Sequence, residues 1–435
     1  MTKKTRTVLF LICLFLFLLI APVTIFYSQG YRFDIDSKKI TQTGGLFLKI
    51  EPKQVEIYIN GKLKKKTDFF FGSALIENLL PKKYKVEIKK EGYHPWEKNL
   101  EIKEKQVTEV KNIVLFSENP TFNILTAGVK NFWFSPDEKK IILFEESEMG
   151  WALKLYDLEK NVKSQLIEER DFYSKGADLL NLEFSEDSNE IYLDIGMKEK
   201  EKYFTLKLNK FPPTLTEREI ATSSENIIAS QVFNGDSYYL DKSGYLFKNE
   251  ERLTENPFPV KVDSNPPTTL PSSGRAPTEY VLEIFQNFVF LRENQTLYQF
   301  NPDLKSFEKF FENINFLKIS PDLKKIVYFS NSEIWILFLK EVVSQPIKKS
   351  GEKVFLVRLS EKINDVFWLN SDYLVFNTGN KIKVAEIDDR DRINMVDIAE
   401  FPPTINGGGP EIFFSQSSKK LYILSNGNLY TSETL

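Results

Sequence analysis

Of the side chains that carry covalent or metal chemistry, this 435-residue sequence holds one histidine, His94 in EGYHPWEK, and one cysteine, Cys13 in VLFLICLFLF. A catalytic zinc centre needs more ligands than one His supplies, and Cys-based zinc needs several thiols, so neither has its residues here, and a hydrolytic triad would have only His94 for its base. His94, between a Gly-Tyr turn and Pro95, reads as a surface residue. No Gly-x-Ser-x-Gly elbow is present. A lone cysteine also excludes a disulfide within the chain. What remains is carboxylate: 61 Asp plus Glu, from which a general acid–base pair acting on a glycan is chemically conceivable, though no motif singles one out. The sequence therefore assigns no catalytic, metal or cofactor residue and leaves the ligand-binding residues unassigned.

The elements that would position any site fall into three stretches. Val8 to Tyr27 is 20 residues without a charge, which at 1.5 Å per residue spans a hydrocarbon core of about 30 Å. Lys3, Lys4 and Arg6 precede it, and the positive-inside rule keeps them in the cytoplasm with everything beyond Tyr27 outside. The apolar run exceeds a usual signal-peptide core and no A-x-A site follows in IAPVTIFYSQG, so an uncleaved single-pass anchor over residues 1–27 is expected, followed by a linker at 28–43.

Residues 44–116 alternate with period two. Leu46, Leu48 and Ile50 share a face, as do Val55, Ile57 and Ile59 before the tight-turn pair Asn60-Gly61, and as do Tyr84, Val86 and Ile88; NLEIKE and NIVLF add shorter runs. Half-buried strands must hide one face each, which predicts two small sheets packed face to face. The succession GLFLKIEPKQVEIYINGK, IENLLPKKYKVEIKKEGYHPW and LEIKEKQVTEVKNIVL resembles the PEGA domain, a small β-sandwich of bacterial and archaeal surface proteins. The stretch that names that family reads Pro52, Lys53, Gln54, Val55 here, and Lys83 replaces its usual Gly. The resemblance implies a fold and no binding residue. Tyr93 and Trp96 are read as packing residues.

From residue 117 onward one phrase recurs: FSPDEKKIILF around Ser135, FSEDSNEIYLD around Ser185, ISPDLKKIVYF around Ser320 and FSQSSKKLYIL around Ser415, with a weaker copy near Asn370 and degenerate ones from Ser230 and Tyr280. Each copy reads as strand, turn, strand, followed by two further short strands. Four strands per period of 40–50 residues predict a β-propeller over 117–435, of seven blades with six or eight as alternatives. It resembles the degenerate WD-repeat and TolB-like propellers, without a Gly-His or Trp-Asp dipeptide. The repeated S-x-D-x-G-x-T-W boxes of sialidase-type propellers are absent as well. TFNILTA, Thr121 to Ala127, has no partner of its own and is expected to close the ring as the outer strand of the last blade. Asn256 to Glu279 holds six of the 20 prolines and reads as a mobile loop between blades.

Charge separates these stretches. Residues 1–43 carry +4 and residues 44–116 carry +5, with 15 Lys and no Arg, whereas the whole chain is −3 and the remainder therefore −12. An exported, acidic large domain disfavours nucleic acid. The sequence is thus read as an all-β, membrane-anchored extracytoplasmic binding or scaffold protein without catalysis or cofactor, whose partners are the membrane and a cell-wall polymer or envelope protein. The alternative is an envelope glycan hydrolase or lyase with a carboxylate pair in the propeller channel.

Overall fold

The computed structural model describes residues 3–35, 38–172, 176–197, 200–209, 212–218, 226–261, 279–402 and 409–435. It divides into two compact units, one of Met1–Asn119 together with Glu341–Lys349 and Val384–Ile398, the other of Pro120–Lys340, Ser350–Lys383 and Ala399–Leu435. The sequence places neither of those two distant stretches with the first 119 residues.

The first unit begins with α1 (Lys3–Ser28), a helix exposed along its length and long and apolar enough to cross a membrane. The span read as a linker contains a hairpin, β1 (Tyr31–Asp34) and β2 (Lys39–Gln42). The side chain of Arg32 donates to the Tyr27 carbonyl at 2.7 Å and to Asn78 Oδ1 at 2.8 Å, tying the helix end to the sandwich.

The sandwich itself consists of β3 (Gly44–Glu51), β4 (Glu56–Ile59), β5 (Lys62–Lys66), β6 (Ser73–Leu79), β7 (Lys83–Lys89), β8 (Trp96–Glu101) and β9 (Val107–Val114). One sheet has the order β6-β3-β9, the other β5-β4-β7-β8. The β4–β5 turn is the Asn60-Gly61 pair, both at positive φ (48° and 72°), a turn whose twist suits a hairpin. The alternating residues do what their period requires: Leu46, Leu48, Ile50, Val55, Ile57, Val86, Ile88 and Trp96 form one core between the sheets. Trp96 is core and Tyr93 packs against it. His94 is half-buried rather than fully on the surface. The parallel β3–β9 pairing is not visible in the alternation.

Residues 120–435 form seven four-stranded sheets among the described residues. Their first strands are Val129–Phe134, Ala177–Phe184, Ile227–Phe233, Tyr280–Phe285, Ile314–Ile319, Ile363–Trp368 and Glu411–Ser415. β10 (Phe122–Ala127) pairs with Asn428–Ser432 and completes the sheet that starts at Glu411, the ring closure expected from the sequence. Aromatic and aliphatic side chains of that sheet and of the one starting at Val129 form a shared core. This is the propeller architecture.

The recurring phrase is a hairpin corner held by its serine. Ser135, Ser185 and Ser320 are buried. Each hydroxyl donates to the Asp two residues on, at 2.6, 2.6 and 2.5 Å, and accepts the backbone N–H five residues on, at 3.0, 2.9 and 3.0 Å. The Asp side chain in turn accepts the N–H of Lys139, Asn189 or Lys324, an Asx turn that leaves Glu138, Ser188 and Leu323 in the left-handed region. Hydrogen bonds from the Ser185 hydroxyl and from Asn189 lower the Asp187 pKa to about 2. In the fourth copy Ser417 stands where the others have Asp. Glu138, from the first corner, supplies the missing carboxylate: its Oε2 accepts from Ser415 Oγ at 2.9 Å and from the Ser417 N–H at 2.8 Å.

The Pro-rich stretch is only partly described, since residues 262–278 lie outside the described set. Its start corrects the expectation of a mobile loop. Phe258 is buried among Leu282, Leu291 and Tyr298, and its N–H donates to Gly244 O at 2.7 Å. Gly244 is at φ +85° with the Phe258 backbone where a Cβ would stand, so this approach needs glycine.

Candidate ligand-binding cavity

The first strands of four sheets wall a cavity of about 890 Å³ inside the propeller, within the size range of pockets that take small molecules. Strand Val129–Phe134 and its corner contribute Phe132, Trp133, Phe134 and Glu138; Ala177–Phe184 contributes Leu182, Glu183 and Phe184. Ile363–Trp368 brings Asn364, Asp365 and Phe367, and the approach to the last sheet brings Gly409, Pro410, Glu411 and Phe413. Val366, between Asp365 and Phe367 on its strand, is fully buried away from the cavity.

The aromatic part of the wall is continuous. Phe134 and Phe413 stack with centroids 3.9 Å apart and planes 8° from parallel, Phe367 meets Phe413 edge-on at 5.4 Å, and Phe132 meets Phe134 edge-on at 6.0 Å. The charged part is acidic. Glu138 is engaged by Ser415 and Ser417 as described. Asp365 receives Lys318 Nζ at 2.7 Å, and that ammonium also lies 3.3 Å from the Phe367 ring centroid. Burial lowers the Lys318 pKa, opposed by Asp365. Burial raises that of Glu411. Among the described residues no Lys, Arg or His lines the cavity itself.

Beyond this wall, Glu283 on the strand Tyr280–Phe285 lies 4.0 Å from Arg292 Nε. Burial pushes its pKa up to about 6, with the Arg292 charge acting in the opposite sense. Among the described residues no cluster of three or more His, Cys, Asp or Glu has the arrangement to hold a metal ion.

The sequence named no binding residue, and the cavity residues are those it missed. A signal was available inside the repeats. The position two before the corner serine is Trp133, Glu183, Lys318 and Phe413 in the four clear copies, varying in chemistry where the flanking positions stay apolar.

A second polar constellation lies in the first unit. Lys98 sits on β8 in phase with Trp96 and Leu100, and is fully buried. Its ammonium pairs with Glu386 Oε1 at 2.6 Å and donates to the Arg392 carbonyl at 2.9 Å. Glu386 also accepts Trp96 Nε1 at 2.8 Å and Asn394 Nδ2 at 2.7 Å. Asp388 lies 3.8 Å from Lys98 and accepts a two-pronged bond from Arg390. Burial favours its neutral form, yet the Arg390 hydrogen bonds and the Lys98 charge outweigh that and hold its pKa below the ordinary value. With every partner satisfied, this is a clasp rather than a reactive site.

Residues 43–115 match the PEGA domain. No curated protein matches the chain. Among solved structures, the computationally designed Ika8 protein is similar at TM-score 0.37 and 11% identity, covering 89% of this chain and 98% of its own. YCF48 from Cyanidioschyzon merolae is similar at TM-score 0.39 and 10% identity, covering 72% and 98%. An oligogalacturonate lyase in complex with manganese is similar at TM-score 0.40 and 12% identity, covering 73% and 93%. The propeller assignment rests on the sheet order above.

Proposed function

We propose that this chain is a membrane-anchored, extracytoplasmic binding protein of the cell envelope, in which α1 crosses the bilayer, the PEGA domain stands beyond it, and the propeller takes a ligand in its central cavity without transforming it. The observation that carries the reading is the cavity: about 890 Å³ of ring-walled space reached by four sheets, in a chain whose one histidine lies in the other unit. The anchor is supported by the exposed apolar surface of α1, and the outward placement of the rest by Lys4 and Arg6 at its start.

Two measurements test this. In spheroplasts of expressing cells, added protease should digest everything beyond Tyr27 while an anchored fragment stays with the membrane after a carbonate wash; protection of the PEGA domain and propeller would overturn the topology. On an array of envelope glycans and peptides, the full-length protein should bind saturably and leave its ligand intact, with binding weakened by Phe413→Ala. Turnover would establish the hydrolase or lyase alternative instead, with Glu183 and Glu411 as the first carboxylates to replace.

A further inference from the structure

We infer that the propeller cavity selects an organic cation, an alkylammonium or guanidinium group on a slender apolar stem. This rests on the cavity being the ligand site, as proposed above, and adds the chemistry of what it takes.

Three observations converge. The first is charge: Glu183, Asp365 and Glu411 line the space, and among the described residues no basic side chain does. Lys318 neutralises Asp365 from outside the lining, while Glu138 is spent on the neighbouring corner. Glu183 and Glu411 face the cavity without a cation among the described residues, and burial already disfavours the charged form of Glu411. An anionic ligand would add repulsion and further desolvation; a cation relieves both. The second is the ring wall. Phe132, Phe134, Phe413 and Phe367 present contiguous aromatic surface, and ring faces attract cations most where water is excluded.

The third observation is a precedent inside the molecule. Lys318 lays its ammonium 3.3 Å from the Phe367 centroid and 2.7 Å from Asp365. Ring plus carboxylate therefore already holds one alkylammonium at this wall, with the Phe316 ring centroid 6.0 Å away as well. The same pairing is repeated with the place of the ammonium left for a ligand, Glu411 standing two residues before Phe413 on one strand and so on the same face. An ammonium can reach the cavity on a free polyamine or on a lysine-bearing peptide; the recognition chemistry is shared.

The test is calorimetric titration of the full-length protein in detergent with spermine, with N-acetyl-tetralysine, and with a neutral tetrasaccharide as a third probe. Spermine or the peptide is expected to bind, whichever is tighter identifying the source, and Glu183→Gln/Glu411→Gln together should weaken it by about tenfold or more. The exposed pair Glu148→Gln/Glu159→Gln serves as the control and should leave binding unchanged. Circular dichroism confirms that each variant is folded. Equal loss in both pairs, no loss in either, or no cation binding at all would overturn the inference. Binding of the neutral sugar that Phe413→Ala abolishes, without cation binding, would refute the cationic preference and keep the cavity as the ligand site. If no probe that binds responds to Phe413→Ala, the cavity reading fails as well.

Discussion

Replacing Lys98 by Met tests whether the clasp in the first unit is held by charge. Methionine keeps most of the aliphatic stem, so what is lost is the ammonium, and Glu386 and Asp388 keep their carboxylates at side-chain exposures of 5% and 15%. Stranding a buried partner in this way costs about 3–5 kcal/mol. The cost should appear where the clasp holds the chain, in residues 384–398, whose backbone closes through Glu386 N–H to Asn394 O at 3.1 Å. At roughly 1.36 kcal/mol per factor of ten, amide exchange there should accelerate by about two to four orders of magnitude when followed by mass spectrometry on the full-length protein, while the six sheets that do not include this stretch remain protected. Lys98→Met/Glu386→Gln should recover much of that loss, because Gln is neutral and retains an acceptor for Trp96 and Asn394. Acid should loosen the same stretch in the parent protein. Asp388 has a folded pKa below its unfolded one, so its contribution is present at neutral pH and is lost as pH falls through the folded value. Unchanged exchange in Lys98→Met, or a double variant as loose as the single, would refute the argument.

Three further outcomes are expected. A truncated protein starting at Val129 should aggregate or melt well below one starting at Asn119, and Ile124→Pro, opposite Tyr430, should reproduce much of the defect by removing a ladder donor; equal melting of the two truncations by scanning calorimetry would disprove closure by β10. Glu138→Ala should cost about 1–3 kcal/mol by leaving the Ser415 corner without its carboxylate, read from urea midpoints, whereas loss of the exposed neighbour Lys139 should be nearly neutral. Glu283, with a folded pKa of about 6 against an ordinary value of 4.5, is protonated between these values in the folded state while the unfolded chain is ionised. Stability should therefore decline by about 2 kcal/mol as pH rises from roughly 4.5 to above 6. That slope should vanish in Glu283→Gln, and its persistence would show that another group titrates.

What the sequence made legible was whatever repeats or alternates. The corner serines, the Asn60-Gly61 turn and the unpartnered TFNILTA carry local physics, a hydrogen-bonded Asx turn, a left-handed pair and an edge in need of cover, and each stands in the structure where that physics puts it. What stayed hidden depends on residues far apart in the chain. Lys98 reads as one more surface lysine in a Lys-rich stretch until its phase with Trp96 and Leu100 is noticed, and its partners lie about 290 residues away. Phe258 looks like part of a Pro-rich loop because its pocket is built by Leu282, Leu291 and Tyr298. The cavity was invisible for a related reason: each wall contributes two or three residues, and only the closed ring brings Trp133, Glu183, Asp365 and Phe413 to one space.

Ring closure also has a consequence in time. β10 ends at Ala127, and the strand that receives it starts at Asn428, so a ribosome adding about 5–20 residues per second leaves that edge without its partner for roughly 15–60 s. Glu138 waits equally long for Ser415. The blades between them can form in order as they emerge, each from local hairpins, but the sheet that starts at Glu411 is complete only with β10. A nascent propeller of this kind is therefore an open arc with an unpaired strand near its start, most vulnerable to wrong pairing just before Asn428–Ser432 emerges, and closes in one late step that joins sequence neighbourhoods some three hundred residues apart.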